Sequence, residues 1–150
     1  MNTSSISAPP QTLSLSGFRL RKHADYQRAY AASRKRQSAS MSWFMAWQET
    51  SLNCVGTLPS GPRVGLTVGK VLGKAHDRNR IKRRMREALR RHVEMLPAGA
   101  DLILHPRRTV LTLEFAKLEA EIVRILQQAD AEAARIKVQA AAHMVSAPPA

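Results

Sequence analysis

Thiols are nearly absent from this chain, because Cys54 is its one cysteine. A lone cysteine excludes an intramolecular disulfide framework and a zinc site built on several thiolates, and a reducing cytoplasm is the expected location. Long apolar runs are absent too: no stretch of about 18 apolar residues occurs, so no membrane span is predicted. The N-terminus has no basic segment followed by an apolar one, so no secretory signal is expected.

Clusters of catalytic side chains are also missing. The five histidines form no metal-binding pair of the HxxxH or HExxH kind. Three carboxylates, Asp77, Glu87 and Glu94, lie near the basic part of the sequence, where neighbouring arginines disfavour a divalent metal. The glycines and lysines of residues 65–74 do not match a phosphate-binding P-loop. We therefore predict no catalytic residue and no metal site within the protein itself.

Acidic residues are few: 11 Asp and Glu stand against 24 Lys and Arg, which gives a formal charge of +13. Residues 19–91 hold 18 of the 24 bases and four of the acids, whereas residues 101–132 hold six acids and four bases. This imbalance favours a nucleic-acid partner, with an anionic membrane as the competitor. The binding surface is therefore expected in the first two-thirds of the chain.

Residues 63–96 combine a short strand with a long basic helix. Val64, Leu66 and Val68 alternate with other residues, as in a half-buried strand, and three glycines predict a bend or a close backbone approach there. Asp77 is the predicted N-cap of a helix over 77–96. The apolar stripe of this helix contains Ile81, Met85, Ala88, Leu89, Val93 and Leu96.

The rest of the helix surface is positive and falls into two stripes. The first contains Asn79, Arg83, Arg86 and Arg90, and the second contains Arg80, Arg84, Glu87 and Arg91. Like charges at helical spacing repel each other by a few tenths of a kcal/mol per pair. A helix that faced only solvent would mix its signs, so a dense polyanion is expected to neutralise this surface.

The run GKAHDRNRIKRRMREA, residues 73–88, closely resembles the signature of the bacterial ribonuclease P protein family. That signature is a glycine, a short connection and then R-N-R-h-K-R-h-h-R-E-A, where h is apolar. The match has no gap, and the resemblance extends over about residues 17–128. Two positions depart from the pattern. Gly69-Lys70-Val71 replaces the usual Ser-Lys-Lys, and Arg84 stands at a commonly apolar position.

The order helix, strand, strand, helix, strand, helix predicts an α+β domain with a small mixed sheet. The resemblance implies three helices packed with that sheet, a left-handed βαβ crossover, and the fold of the second domain of ribosomal protein S5. Residues 1–16 are predicted to be a disordered extension and residues 17–128 the domain. Residues 129–150 are predicted to be an alanine-rich helical extension with a disordered tail.

The resemblance also implies a function, because in ribonuclease P the RNA subunit removes the 5′ leader of precursor tRNA with bound Mg²⁺. The protein binds that RNA and the leader and aids metal and substrate affinity, without holding Mg²⁺ at a site of its own. The RNA contacts implied here are Arg78, Asn79, Arg80, Lys82, Arg83 and Arg86, with Lys70 and Lys74 at the helix entry. No membrane and no obligate protein partner are expected.

Tyr26 and Tyr30 lie four residues apart on a helix predicted over about 23–33. In the resembled family two aromatics at this spacing, usually phenylalanine, line a cleft for the single-stranded leader. Simple packing of both rings remains the alternative. In the strand predicted over 41–49, the odd- and even-numbered side chains are both largely apolar, so the sequence leaves open which face meets the core.

Two other functions remain open at this point. A ribosomal or general nucleic-acid-binding protein would explain the positive charge and the basic helix, but not an RNR run directly after a glycine-bearing strand. A membrane-active basic helix requires the apolar stripe of residues 81–96 to be exposed.

Overall fold

The apolar segments at 41–47 and 100–106 form the centre of a four-stranded mixed sheet. The computed structural model describes residues 18–48 and 61–145, with side chains as far as residue 135. The strands are β1 (Arg36–Gln37), β2 (Met41–Trp47), β3 (Arg63–Leu66) and β4 (Ala100–Pro106), in the spatial order β1-β2-β4-β3. β2 is antiparallel to β1 and to β4, whereas β3 is parallel to β4.

Three helices in the described part of the chain cover this sheet. They are α1 (His23–Ala32), α2 (Ala75–His92) and α3 (Phe115–Val145). α2 connects the neighbouring parallel strands β3 and β4, as the predicted strand–helix–strand unit requires. The α+β class is confirmed, and the order of elements agrees except for the two-residue strand β1, which was not predicted. The left hand of this crossover stays a prediction. Within the described ranges no helix is both long enough and apolar enough to cross a bilayer.

The side chains of β2 settle which face of that strand meets the core. Trp43, Met45 and Trp47 are buried in the same apolar cluster as α2 and α3, while Phe44 and Ala46 pack with α1 on the other face. Burying a large apolar side chain stabilises a fold by about 1.5–3 kcal/mol. The aromatic-rich strand therefore contributes mainly to the larger cluster, and Phe44 is left half-exposed beside α1.

The apolar stripe predicted for α2 is buried along its whole length, but its last two members, Val93 and Leu96, lie beyond the helix, which ends at His92 and not at residue 96. Its six members are at most 3% exposed and face the sheet and α3. The stripe is confirmed as part of the core. The alternative of a membrane-active basic helix, which needs this stripe on the surface, therefore loses its basis. α3 adds Leu118, Ile122 and Leu126, and the core continues to Ala129 and Ala133.

The core therefore extends beyond the domain boundary predicted at residue 128. Alanine side chains allow close approach, so the alanine-rich part of α3 still packs at Ala129 and Ala133, which are 0% and 1% exposed. The helix itself runs on to Val145. Residues 1–16 and the last five residues of the predicted tail lie outside the described residues, so those two boundaries stay predictions.

The predicted N-cap of α2 is wrong by three positions. The helix begins at Ala75 after Lys74, which makes no side-chain cap, and Asp77 lies in the first turn. There an acid still suits the helix dipole. Gly73 makes the turn into the helix at φ +128°. A Cβ at that position would meet Arg108, whose guanidinium lies 3.7 Å from the Asp77 carboxylate.

A charged cluster fastens α1 to the edge of the sheet. Arg63 at the start of β3 donates two hydrogen bonds of 2.8 Å to the Asp101 carboxylate of β4 and one of 3.1 Å to Asp25 of α1. Both carboxylates are buried, and Asp25 also pairs with Arg28 at 2.7 Å. The pKa of Arg63 is raised, mainly because its guanidinium donates these hydrogen bonds to Asp101. One guanidinium therefore satisfies two buried acids from different elements.

We predict that Arg63→Met lowers the free energy of unfolding by about 3–5 kcal/mol, because it leaves Asp101 and Asp25 buried without their shared partner. Arg124→Met is the matched control: Arg124 is exposed on α3, and its loss is expected to change stability by about 0.5 kcal/mol or less. Urea unfolding of both variants measures the difference. Equal effects from the two substitutions would contradict the role of the cluster.

Candidate nucleic-acid interface

The face of α2 opposite its apolar stripe presents cations that no acid neutralises. Arg80, Arg83 and Arg86 are exposed, and Lys82 is half-buried. Among the described residues these four side chains make neither an ion pair nor a hydrogen bond. A shallow concavity runs along this face, and it is lined by Asn79, Lys82, Arg83, Arg86, Glu87 and Arg90. We call the four unpaired side chains the open face of α2.

Most of the second predicted stripe does not belong to this open face. Arg84 donates a hydrogen bond to the carbonyl of Leu113. Arg91 lies 3.3 Å from the Glu119 carboxylate, with its guanidinium 5.2 Å from the centre of the Phe115 ring. These contacts turn Arg84 and Arg91, neither of which was among the predicted RNA contacts, towards α3, so this part of the positive surface is already engaged within the protein. Arg80 alone of the stripe's cations stays open.

Glu87 neutralises part of the charge at the C-terminal half of α2. Its carboxylate accepts a hydrogen bond of 2.8 Å from Arg90 and one of 3.3 Å from Arg91. The bond from Arg90 is the main reason that the pKa of Glu87 is lowered, although solvent screens a group this exposed. The unpaired charge is therefore concentrated between Arg80 and Arg86.

The entry to α2 adds two more cations. Lys70 and Lys74 are exposed at either end of a short 3-10 turn, and neither side chain has a partner in the described parts of the chain. Arg78, predicted as an RNA contact, is half-buried and donates a hydrogen bond of 3.2 Å to the Gly73 carbonyl. Val71, at the position where the resembled family often has a second lysine, is 93% exposed. The turn therefore carries its charge on the two lysines.

Tyr26 is held at the edge of the sheet. Its hydroxyl donates a hydrogen bond of 3.3 Å to the Leu20 carbonyl, and burial raises its pKa. Its ring lies directly against the backbone of β3, because a Cβ added to Gly65 would be 2.6 Å from the phenol oxygen. This is the close backbone approach that the glycines predicted. The contacts fit the packing alternative for Tyr26.

Tyr30 lies next to Tyr26, with the two ring centroids 6.4 Å apart, and it belongs to a group of three rings. Its hydroxyl lies 2.8 Å from Nε2 of His105, and its ring meets Phe44 edge to face with centroids 4.9 Å apart. The rings of Phe44 and His105 are 5.5 Å apart. All three side chains are half-exposed on the α1 side of the sheet. We call this group the ring platform. Tyr26 adjoins this platform, because it packs with Tyr30 and Phe44 on the same apolar cluster. The two tyrosines are therefore neighbours, and their role in binding the leader stays a prediction.

The sequence did not identify His105 as part of this platform. The sequence did contain a signal for this position: His105 follows Ile103 by two residues on β4, and residues two apart on a strand lie on the same face of the sheet. Burial lowers the pKa of His105, and the charge of Lys35 lowers it further. Neutral imidazole is therefore the form that the folded protein favours. The described residues contain no group of three or more His, Cys, Asp or Glu placed to hold a metal ion.

Comparison with known proteins gives one consistent result. The family model described as Ribonuclease P matches residues 16–130. The ribonuclease P protein component of Chloroflexus aggregans is 37% identical over 112 residues, which cover 74% of this chain and 76% of that protein. The corresponding protein of Thermobifida fusca is 35% identical over 106 residues, or 69% of this chain and 70% of its own.

Solved structures agree with the fold. The RNase P protein of Staphylococcus aureus superposes with a TM-score of 0.59 at 25% identity, covering 75% of this chain and 94% of that one. The RNase P protein from Thermotoga maritima gives a TM-score of 0.58 at 24% identity, with 73% and 96% covered. The residues matched by the family model, 16–130, include the open face of α2 and the ring platform.

We predict that His105 titrates below its ordinary pKa of 6.5 in the free protein. As the pH falls, His105 of the unfolded chain binds a proton before His105 of the folded protein does. The free energy of unfolding therefore decreases as the pH falls from 6.5 to the lowered pKa of the folded protein. His105→Leu is expected to reduce this loss, and Lys35→Gln to raise the midpoint of His105. Imidazole resonances followed by NMR from pH 8 to pH 4 measure the midpoints. A midpoint above 6.5 would contradict the burial that the structure shows.

Proposed function

This chain belongs to the ribonuclease P protein family, and we propose that the open face of α2 binds the RNA subunit while the ring platform receives the unpaired 5′ leader of precursor tRNA. As a protein component of ribonuclease P, the chain is a subunit of the endoribonuclease that removes tRNA 5′ leaders. Family membership does not say which surface meets which RNA, so the roles of the open face of α2 and of the ring platform depend on the side chains of this chain.

The observation that carries the proposal is the row of unpaired cations from Arg80 to Arg86. Holding four cations on one helix face without acids disfavours the free protein by like-charge repulsion. RNA phosphates remove that repulsion and release condensed counterions, so binding is expected to weaken steeply as salt rises. Arginine forks suit phosphate oxygens geometrically. Lys70 and Lys74 extend the same positive surface to the helix entry.

The ring platform suits unpaired bases rather than a duplex. Single-stranded RNA exposes base faces that stack on aromatic side chains, whereas the grooves of an RNA helix present mainly backbone and 2′-hydroxyls. Tyr30 and Phe44 offer such faces on the open side of the sheet. Arg34 and Lys35 follow α1 and are exposed, so leader phosphates have a partner nearby.

We propose that Mg²⁺ is held mainly by phosphate oxygens of the RNA subunit and the substrate, because hard oxygen ligands suit this ion. The protein's own contribution is to neutralise phosphates that would otherwise repel each other when two RNAs approach. We also propose that the chain acts in the cytoplasm.

Reconstituted cleavage tests this function. The purified protein is expected to stimulate release of the 5′ leader when it is added to a bacterial ribonuclease P RNA and precursor tRNA at low Mg²⁺. The protein alone should cleave nothing, because it supplies binding and not the reacting groups. Tight RNA binding without stimulation of a cognate RNA would instead favour a general nucleic-acid-binding protein.

Two arginine variants locate the surface when their binding to the RNA subunit is measured at several salt concentrations. Arg83→Gln removes an unpaired cation and is expected to lower the slope of log affinity against log salt by about 1. Arg91→Gln is the matched control, because Arg91 is also exposed but already paired with Glu119 and Glu87. Similar losses for both variants would mean that the open face of α2 is not the RNA contact.

We predict that Tyr30→Ala weakens binding of leader-bearing precursor tRNA roughly ten- to a hundredfold, since stacking contributes about 1–3 kcal/mol per base. Binding of mature tRNA should change little. Tyr30→Phe keeps the ring but loses the contact with His105, and it should retain most of the affinity. Equilibrium binding of both RNAs to the reconstituted complex measures the effect. A matching loss for mature tRNA would leave Tyr30 a packing role only.

A further inference from the structure

One arginine from the segment after β4 reaches across to the entry of α2. Arg108 lies at the start of a short 3-10 turn, and its guanidinium donates a hydrogen bond of 2.9 Å to the Leu72 carbonyl. The same guanidinium lies 3.7 Å from the carboxylate of Asp77, in the first turn of α2. Arg108 therefore bridges the chain just before α2 and the helix itself.

The backbone that carries Arg108 is firmly held. Val110, two residues further on, is fully buried in the larger apolar cluster. The preceding Arg107 donates hydrogen bonds to backbone carbonyls of the turn between β1 and β2. Beyond the 3-10 turn, the carbonyl of Leu113 accepts a hydrogen bond from Arg84 of α2. A side chain that leaves such a backbone is able to hold a less well-packed segment in place.

Residues 70–74 form such a segment, and we call them the entry segment. Its 3-10 turn, Lys70–Leu72, contains no buried residue, and Val71 is 93% exposed. Leu72 is only half-buried where it packs against the core. Segments with few buried apolar contacts open at a low cost in free energy. A contact made by a side chain from outside the segment therefore has a large effect on its order.

Gly73 allows the bridge to form. Its φ of +128° belongs to the region that favours glycine. A Cβ built at this position would lie 2.5 Å from Nη1 of Arg108 and 3.2 Å from a carboxylate oxygen of Asp77. A side chain here would push the guanidinium away from both of its partners. The close approach of Arg108 thus depends on a residue without a side chain.

Asp77 is an acid at the entrance of a surface that is otherwise positive. Lys70 and Lys74 are exposed beside it, and the open face of α2 follows. An acid in the first turn suits the helix dipole, but it also repels a polyanion that approaches the two lysines. The bridge to Arg108 gives this carboxylate a second effect, which offsets the repulsion when the entry segment has to be held.

We propose that Arg108 is a positioning residue for RNA binding: with Asp77 it holds the entry segment, so that Lys70 and Lys74 are aligned with the open face of α2 before RNA arrives. The inference rests on the proposed function of that face. Ordering loops and long side chains during binding costs free energy, and a segment that is already held avoids this cost. An exposed ion pair adds little to stability, so the effect is expected in binding and not in folding.

Amide hydrogen exchange of the free protein tests the hold on the entry segment. In Arg108→Gln and in Asp77→Asn, exchange of the Leu72 and Gly73 amides is expected to become several-fold faster. The amide of Met85, in the buried stripe of α2, should be unaffected. Arg124→Gln is the matched control, since it removes an exposed arginine from α3. Unchanged exchange at both amides of the entry segment would overturn the proposal without any RNA.

Binding of the RNA subunit by Asp77→Asn separates positioning from simple charge. If charge alone counts, removing an acid from a positive surface tightens binding. Positioning predicts the opposite, a loss of roughly three- to tenfold, because the released lysines must be ordered on binding. Glu94→Gln removes an exposed acid that follows α2 and should bind at least as tightly as the unchanged chain. Tighter binding by Asp77→Asn would overturn the proposal.

A second comparison decides whether Arg108 itself touches the RNA. Arg108→Gln is expected to weaken binding roughly fivefold, but to add almost nothing in a chain that already carries Lys70→Gln and Lys74→Gln. A loss that persists in that chain, with the slope of log affinity against log salt lower by about 1, would make Arg108 a phosphate contact and overturn positioning. Failure of the unchanged chain to bind the RNA subunit would instead strike the proposed function, whatever the exchange rates show.

Discussion

Burial of the apolar stripe of α2 decides which charges of this protein face solvent. The stripe packs against the sheet and α3 with at most 3% exposure, so the helix cannot rotate without exposing large apolar groups at a cost of several kcal/mol. Rotation about the helix axis is thereby fixed, and with it the direction of every arginine on α2. The charge pattern that is proposed to bind RNA is in this sense a consequence of core packing.

The same packing divides the arginines of α2 into two classes. Those that face α3 find carbonyl, carboxylate or aromatic partners, as Arg84 does at Leu113 and Arg91 at Glu119. Those that face away find none among the described residues. Exposed ion pairs are each worth about 1 kcal/mol or less, so the paired arginines add little to stability. Their effect is mainly to remove positive charge from the side where α3 already covers the helix.

The sequence predicted features that depend on neighbouring residues, but not contacts between residues that lie far apart in the chain. The α2 stripe was predictable because its period is local, and the match of residues 73–88 identified the family before any contact was known. The orientation of β2 was not predictable, since its odd and even side chains are both largely apolar. The partners of Arg84 and Arg91 lie 28 or 29 residues away. Tyr30 and His105 are 75 residues apart. Only the fold brings such pairs together.

Tyr26 shows why residue type and spacing were not enough for the leader site. Two tyrosines four residues apart share a helix face, yet α1 crosses the sheet so that the first ring reaches the bare backbone at Gly65 while the second reaches Phe44 and His105. A side chain on residue 65 would push Tyr26 away from the strand. Glycine on β3 therefore lets Tyr26 pack against the strand, while its ring stays 6.4 Å from that of Tyr30. The two rings thus remain neighbours but differ in their contacts: Tyr26 is fixed by backbone packing, whereas Tyr30 lies in the half-exposed ring platform that is proposed to stack on unpaired bases.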